Sequence, residues 1–341
     1  MSGHLRWLAL PLLAAAVASG NSAVAGAQVR PDTGTRWTVP RTPDGHPDLQ
    51  GIWTNATLTP LERPHTLADK PFFTEEEARN LEAQAARRQA AADDPRTREE
   101  ALARGDVGAY NQFWFDAGTT ILATRQTSLV VDPPDGRVPV RPEAEVRRDE
   151  ALKRSADQPE FMSLWDQCIS RGVPGWIIPA GYNNAYQIVQ TKDFLVIHSE
   201  MIHDARIVPL DGRPPLPSTV QLLEGDSRGR WEGDTLVVET TNFGDRNWIA
   251  TSAAAGRIKG IPQSTALRIV ERFTSVAADR IDYEARVEDP SVFTRPWTLA
   301  FPLTRDDGYR IYEYACHEGN SAVEGILRGA RYQERQPGPR R

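Results

Sequence analysis

Lysine is scarce in this chain of 341 residues. Of its 40 basic residues only Lys70, Lys153, Lys192 and Lys259 are lysines, an arginine bias that a GC-rich genome explains without any functional demand. Basic residues are also outnumbered: the net charge is −6, which argues against a nucleic-acid partner, since such partners select basic patches. Long apolar runs are lacking except near the start. There Arg6 precedes Trp7 to Val17, and Ala25-Gly26-Ala27 fits the small-x-small rule for cleavage before Gln28. The run is shorter than the roughly 20 residues a membrane-spanning helix needs. Residues 1–27 therefore read as a cleaved signal peptide, an uncleaved anchor being the rival, and the remainder as a periplasmic or secreted protein with no membrane span.

Cysteine is limited to Cys168 and Cys316. Two cysteines cannot by themselves build a structural zinc site. In an oxidising compartment an even count makes a disulfide the expectation, with two free thiols or a metal-thiolate role as alternatives. No P-loop or dinucleotide fingerprint is present, and Gly225 to Gly229 lacks the G-x-S-x-G elbow. No cofactor is expected from these absences. No repeat of propeller length is evident.

What is present divides the chain into 28–110, 111–333 and a disordered tail at 334–341. The first part is rich in Pro, Thr and Asp, with a turn at Thr42-Pro43-Asp44-Gly45, and contains one convincing helix. Thr74 caps it and Glu77, three residues on, completes a capping box. The stretch to Ala92 is rich in good helix formers, but its apolar face is thin (Ala78, Leu81, Ala85), so it should lie against a body rather than within one. Pro142 to Arg154 reads as a solvated helix or loop.

Short alternating runs dominate from Asn111. Asn111 to Phe115, Ser128 to Asp132, Tyr186 to Gln190, Phe194 to Ser199 and Arg206 to Pro209 read as strands. Thr235 to Asn242, Leu267 to Thr274, Ile281 to Glu288, Trp297 to Leu303 and Tyr309 to Cys316 follow. Asp-Gly and Gly-Asp turns separate several of them. Such a pattern predicts a mostly β chain: an antiparallel meander in a closed or nearly closed, lipocalin-like barrel, which removes exposed edges. A β-sandwich is the competitor.

Alternation also predicts which side chains share a face. Glu271 falls with Leu267, Ile269 and Phe273, Glu239 with Val237 and Thr241, and Glu313 with Ile311 and Ala315. Three strands would thus each turn a carboxylate inward, where it must be paired, protonated or hydrated. Two readings stand: an internal Glu–Arg network drawing on Arg206, Arg268, Arg272 or Arg310, or the polar patch of a ligand cavity. In His198 to Arg206, an unbroken strand would align His198, Glu200, Asp204 and Arg206. An acid beside a histidine recurs in general bases, which marks His203 and Asp204. The metal-ligand spacings do not fit this segment. Near Cys316, His317 would be held beside Gly181-Tyr182-Asn183-Asn184, a composition suited to a binding loop or to a self-bonded turn.

Three strings together, Met201 to Arg206 (MIHDAR), Gly225 to Phe243 (GDSRGRWEGDTLVVETTNF) and Glu313 to Asn320 (EYACHEGN), resemble a large family of exported, uncharacterised bacterial proteins. Gly51-Ile52-Trp53 is similar to the lipocalin G-x-W. The resemblance implies export and carries no activity. The functional expectation is a barrel binding a small molecule, possessing metal-independent acid/base groups for a lyase, isomerase or hydrolase step on a small organic or glycosidic substrate. His203, Asp204, Glu239 and Glu271 would be catalytic, with Arg206, Tyr182, Asn183 and His317 binding substrate. A lipocalin-like carrier and a structural envelope protein are the alternatives. Oligomeric state is not legible.

Overall fold

The computed structural model describes residues 37–92, 94, 99–100, 103, 115–249 and 260–336. The expected signal peptide, all but Phe115 of the expected strand Asn111 to Phe115, and most of the expected tail lie outside them. Nine strands form one antiparallel ring: β1 (Gly51–Thr54), β3 (Ala185–Gln190), β4 (Phe194–Ser199), β5 (Ala205–Pro209), β6 (Asp226–Glu232), β7 (Thr235–Thr241), β10 (Arg268–Ala277), β11 (Arg280–Glu288) and β12 (Trp297–Arg305). β2 (Val130–Asp132) extends the edge of β12 that β1 also pairs, and β8 (Trp248–Ile249) with β9 (Ile261–Pro262) forms a separate ribbon. The fold is mostly β and nearly closed into a barrel, as the spacing of the strands implied.

Around the ring, spatial order follows chain order, and β12 returns to pair with β1. Every ladder is antiparallel. Nine is odd, so strict alternation leaves the two ends, β5 and β6, running in the same direction. An antiparallel ladder cannot form between them. Residues 210–225 carry the chain back along the barrel from the end of β5 to the start of β6, the long return that a same-direction pair requires. The seam is instead packed by side chains. At Gly229 a Cβ would stand 2.4 Å from Leu210 Cδ2 and 3.0 Å from Val208 Cγ1, so only glycine fits this approach without displacing its neighbours.

Large apolar side chains pack in the core. Phe273, Tyr283 and Phe301 form a ladder of tilted rings with centroids 5.0 and 5.1 Å apart, and Trp53, Trp297, Leu236, Val238 and Leu299 are buried with them. Burying each such side chain contributes about 1.5–3 kcal/mol. The helix α1 (Glu75–Ala92) has the expected capping box: Glu77 N–H donates to Thr74 Oγ1 at 3.2 Å and Thr74 N–H to Glu77 Oε2 at 2.8 Å. Its thin face rests on a satellite cluster of Phe73, Ala78, Ile121 and Leu81, outside the barrel core. Pro142–Arg154 is a helix, α2.

Three expectations are corrected. Residues 309–316 are irregular, not a strand: the barrel ends at Arg305, and Glu313 is exposed. Ala322–Glu334 forms a further helix, α3, that the sequence reading missed. The barrel also takes in β1, which lies well before the expected start at 111.

Candidate functional site: a cleft at the seam

β5 is preceded by a tight turn. Met201–His203 form a single 3-10 turn in which Ile202 (φ 64°) and His203 (φ 57°) adopt left-handed backbone, so the segment from His198 to Arg206 is two strands and not one. His198 pairs with Ala205, and Arg206 pairs with Ile197. Arg206 therefore points inward while His198 points out. His203 is exposed and packs edge-on against His198, centroids 4.5 Å apart. Burial lowers the His198 pKa, and the neighbouring His203 lowers it further. The expected alignment of His198 with Arg206 fails because the turn resets the alternation.

Inside, Arg206 is nearly saturated. Nη1 and Nη2 donate to the two oxygens of Glu271 at 3.0 and 2.5 Å, Nη2 donates to Thr240 Oγ1 at 2.7 Å, and Nε donates to Ser227 Oγ at 3.1 Å. Tyr283 donates its hydroxyl to Glu271 at 2.9 Å. Burial alone would lower the Arg206 pKa; the Glu271 carboxylate more than reverses this, and the net shift is upward. Glu271 thus faces inward as the alternation predicted, inside an ion-pair network and not as a bare cavity acid. Ser227 belongs to β6, so this network also ties the two unpaired strands together.

Above Arg206, where β5 and β6 begin, a cleft of about 220 Å³ opens between Asp204, Arg206, Trp176, Ser227 and the turn Leu222–Gly225. Gly225 (φ 70°) closes that turn against Thr240 and Phe243, and Glu224 beside it is one of the lining residues. Glu224 Oε1 accepts from Ser170 Oγ and, at 3.4 Å, from Asn247 Nδ2. Its other oxygen, Oε2, is out of solvent contact and has no hydrogen-bond partner. Burial raises the Glu224 pKa to about 7; the Asp204 charge adds to the rise, and Arg206 and the Asn247 hydrogen bond only partly oppose it. A carboxyl poised near neutrality beside a second carboxylate is suited to proton transfer. Asp226 and Arg228 form an ion pair at the rim.

The remaining expected site residues lie elsewhere. Glu239 is on the outer face, about a third exposed, accepting from Arg268 Nε at 2.7 Å, because the inward residues of β7 are Leu236, Val238 and Thr240. The phase was ambiguous in sequence: Leu236-Val237-Val238 satisfies either face, and Asn242 (φ 57°) shifts Phe243 out of register. Tyr182 meets Phe115 edge-on at 6.2 Å and Tyr314 at 6.1 Å. Asn183 donates to the buried Glu200, which also accepts from Tyr309 Oη at 2.9 Å and Tyr312 N–H at 3.2 Å. This clasp, with the Cys168–Cys316 disulfide, holds residues 309–320 to the body. His317 is exposed beside it. The structure brings Asp204 and Arg206 together with Glu271 beneath, and leaves His203, Glu239, Tyr182, Asn183 and His317 outside the cleft.

Glu224, Trp176, Ser170 and Asn247 were not singled out from sequence. Their meeting depends on contacts 54 and 23 residues apart in the chain, which no alternation encodes. Among the described residues no group of three or more His, Cys, Asp or Glu is placed to hold a metal ion, and no helix is long and apolar enough to cross a membrane.

No family model matches the chain, and no curated protein matches it. Among solved structures it is similar to a secretary abundant heat soluble (SAHS) protein from Ramazzottius varieornatus. Identity is 12%, the TM-score is 0.22, and the match covers 36% of this chain and 70% of that one. That likeness is too slight to inform function. The site has to be read from its own chemistry.

Proposed function

We propose that this chain binds a small hydroxylated organic molecule in the seam cleft and moves a proton on or off it, with Glu224 as the proton-carrying group. One observation carries the reading: Glu224 is among the residues that line the cleft, and its Oε2 is buried without a hydrogen-bond partner. A buried carboxyl oxygen left unbonded is costly unless a ligand supplies the missing hydrogen bond. At about 220 Å³ the cleft is smaller than the roughly 300–1,000 Å³ of drug-sized pockets, which suits a molecule no larger than a simple sugar. Trp176 offers an apolar wall, and Asp204 a second acceptor for ligand hydroxyls. Residing near neutrality, Glu224 can both take and return a proton at physiological pH.

Trp53, Phe273, Tyr283 and Phe301 are buried in the barrel core, which favours a site at the seam over the central cargo of a lipocalin-like carrier. Export remains part of the proposal, supported by the disulfide and the N-terminal sequence, as does membership of the exported bacterial family that residues 201–206, 225–243 and 313–320 resemble.

The test uses dihydroxyacetone, D-xylose and D-glucose as probes. Saturation-transfer NMR reads binding, and loss of C–H signal from dihydroxyacetone in D₂O reads proton transfer. Wild-type protein should bind at least one probe and accelerate exchange, and Glu224→Gln should lose about 10²–10⁴-fold of the exchange rate. Absence of binding by all three, or exchange that Glu224→Gln leaves unchanged, would contradict the reading and favour a structural role.

A further inference from the structure

Arg171 lies in the loop between the disulfide cysteine Cys168 and β3, and it is 1% exposed. Buried arginines are ordinarily matched by a carboxylate, since the guanidinium stays charged and five donors need acceptors. Among the described residues Arg171 has no such match. Nη1 donates to Ile178 O at 3.3 Å, while Nε and Nη2 have no partner. Among the described residues the ionisable groups acting on it are two tyrosines, Tyr186 and Tyr182, and no carboxylate. One face of the guanidinium is covered by Trp165, 5.2 Å from ring to Cζ.

Nε and Nη2 are not an arbitrary pair. Their N–H bonds lie on one edge of the planar group and point the same way, forming the fork that fits two carboxylate oxygens. Elsewhere in this chain that edge is used for this purpose: Arg213 presents Nε and Nη2 to Asp211, and Arg331 presents them to Glu334 at 2.9 and 2.8 Å. A second orphan lies nearby. Asn55 hangs from Ile177 O, the carbonyl next to the one that holds Arg171, and donates to Tyr186 Oη at 3.2 Å; its buried Oδ1 has no partner. Asn55 Oδ1 is an acceptor that an anion cannot satisfy, so the anion site is the unmatched Nε/Nη2 edge of Arg171 itself.

We propose that the Nε/Nη2 edge of Arg171 binds a small carboxylate in a two-pronged grip. This site is separate from the seam cleft and does not depend on the role assigned to Glu224. Arg171 is not treated as catalytic.

Full-length chain exchanged into anion-poor buffer is titrated with sodium acetate, sodium phosphate and sodium chloride at matched ionic strength, using calorimetry and tryptophan fluorescence. Acetate should bind saturably, with an intermolecular NOE from its methyl group to the Trp165 ring, while phosphate and chloride bind more weakly. Arg171→Lys keeps the charge but loses the fork, and should weaken acetate by at least about tenfold. The proposal is overturned by the absence of saturable acetate binding, by chloride or phosphate matching acetate, or by Arg171→Lys matching wild type. Should Arg171→Lys not fold, the NOE to Trp165 in wild type decides on its own: absence of the NOE overturns the site.

Discussion

Arg206 on β5 reaches past the unpaired seam to grip both oxygens of Glu271 on β10, with Tyr283 completing the carboxylate's hydrogen bonds. The pair does two jobs: it neutralises a charge inside an apolar barrel, and through Ser227 it spans the one gap that an odd strand count leaves without a backbone ladder.

Breaking this pair from one side should therefore be severe. Glu271→Ala leaves a buried guanidinium uncompensated and should cost about 3–5 kcal/mol. The double replacement Arg206→Met with Glu271→Leu should recover most of that loss, because it removes both charges together. Urea denaturation of the three variants measures the difference. Equal stability of Glu271→Ala and wild type would refute the internal network.

Stability should carry the signature of Glu224. Its folded pKa, about 7, lies above the usual 4.5, so the folded state binds the extra proton between those values. Stability contributed this way is present below about pH 4.5 and is lost as pH rises toward 7, by about 3 kcal/mol at most. Glu224→Gln should flatten that slope and be the more stable protein at pH 8. Thermal unfolding from pH 5 to pH 8 tests both statements.

The fold was legible to the extent that alternation was unbroken. Phe194–Ser199 is a strand at both of its expected ends, and Glu271 faces inward beside Ile269 and Phe273 as its spacing required. Alternation misled where a left-handed residue reset it: Ile202 and His203 before β5, and Asn242 after β7. β6 escaped notice because Asp226 to Glu232 is polar and glycine-containing, and its burial comes from the return loop and the seam. Glu224 was invisible for a related reason, since its environment is assembled from Ser170 and Asn247, far apart in sequence.

His203 and Glu239 illustrate the consequence. Both are displaced from the cleft, His203 onto the outer surface beside His198 and Glu239 into ion pairs with Arg268 and Arg230. His203→Ala and Glu239→Gln should leave probe binding and proton exchange within about twofold of wild type, the range expected for exposed substitutions of small energetic effect. A loss as large as that of Glu224→Gln would relocate the site.

The disulfide spans 148 positions and secures residues 309–320 against the body. In the chain-entropy account a loop of that length stabilises the fold by about 5 kcal/mol. Cys316→Ser should lower the denaturation midpoint accordingly and expose the Tyr309 and Tyr312 contacts to Glu200. Non-reducing gels and urea titration follow the two effects, and an unchanged midpoint would assign the C-terminal clasp no structural weight.

The central claim is that one glutamate at the seam exchanges its proton near neutrality. Side-chain carboxyl ¹³C NMR across pH 3 to 9 reads this directly. One glutamate resonance should titrate with a midpoint near 7, vanish in Glu224→Gln, and move to lower pH in Asp204→Asn as the neighbouring charge is removed. If every glutamate carboxyl titrates in the ordinary range around pH 4–5, the cleft holds no such proton and the account fails.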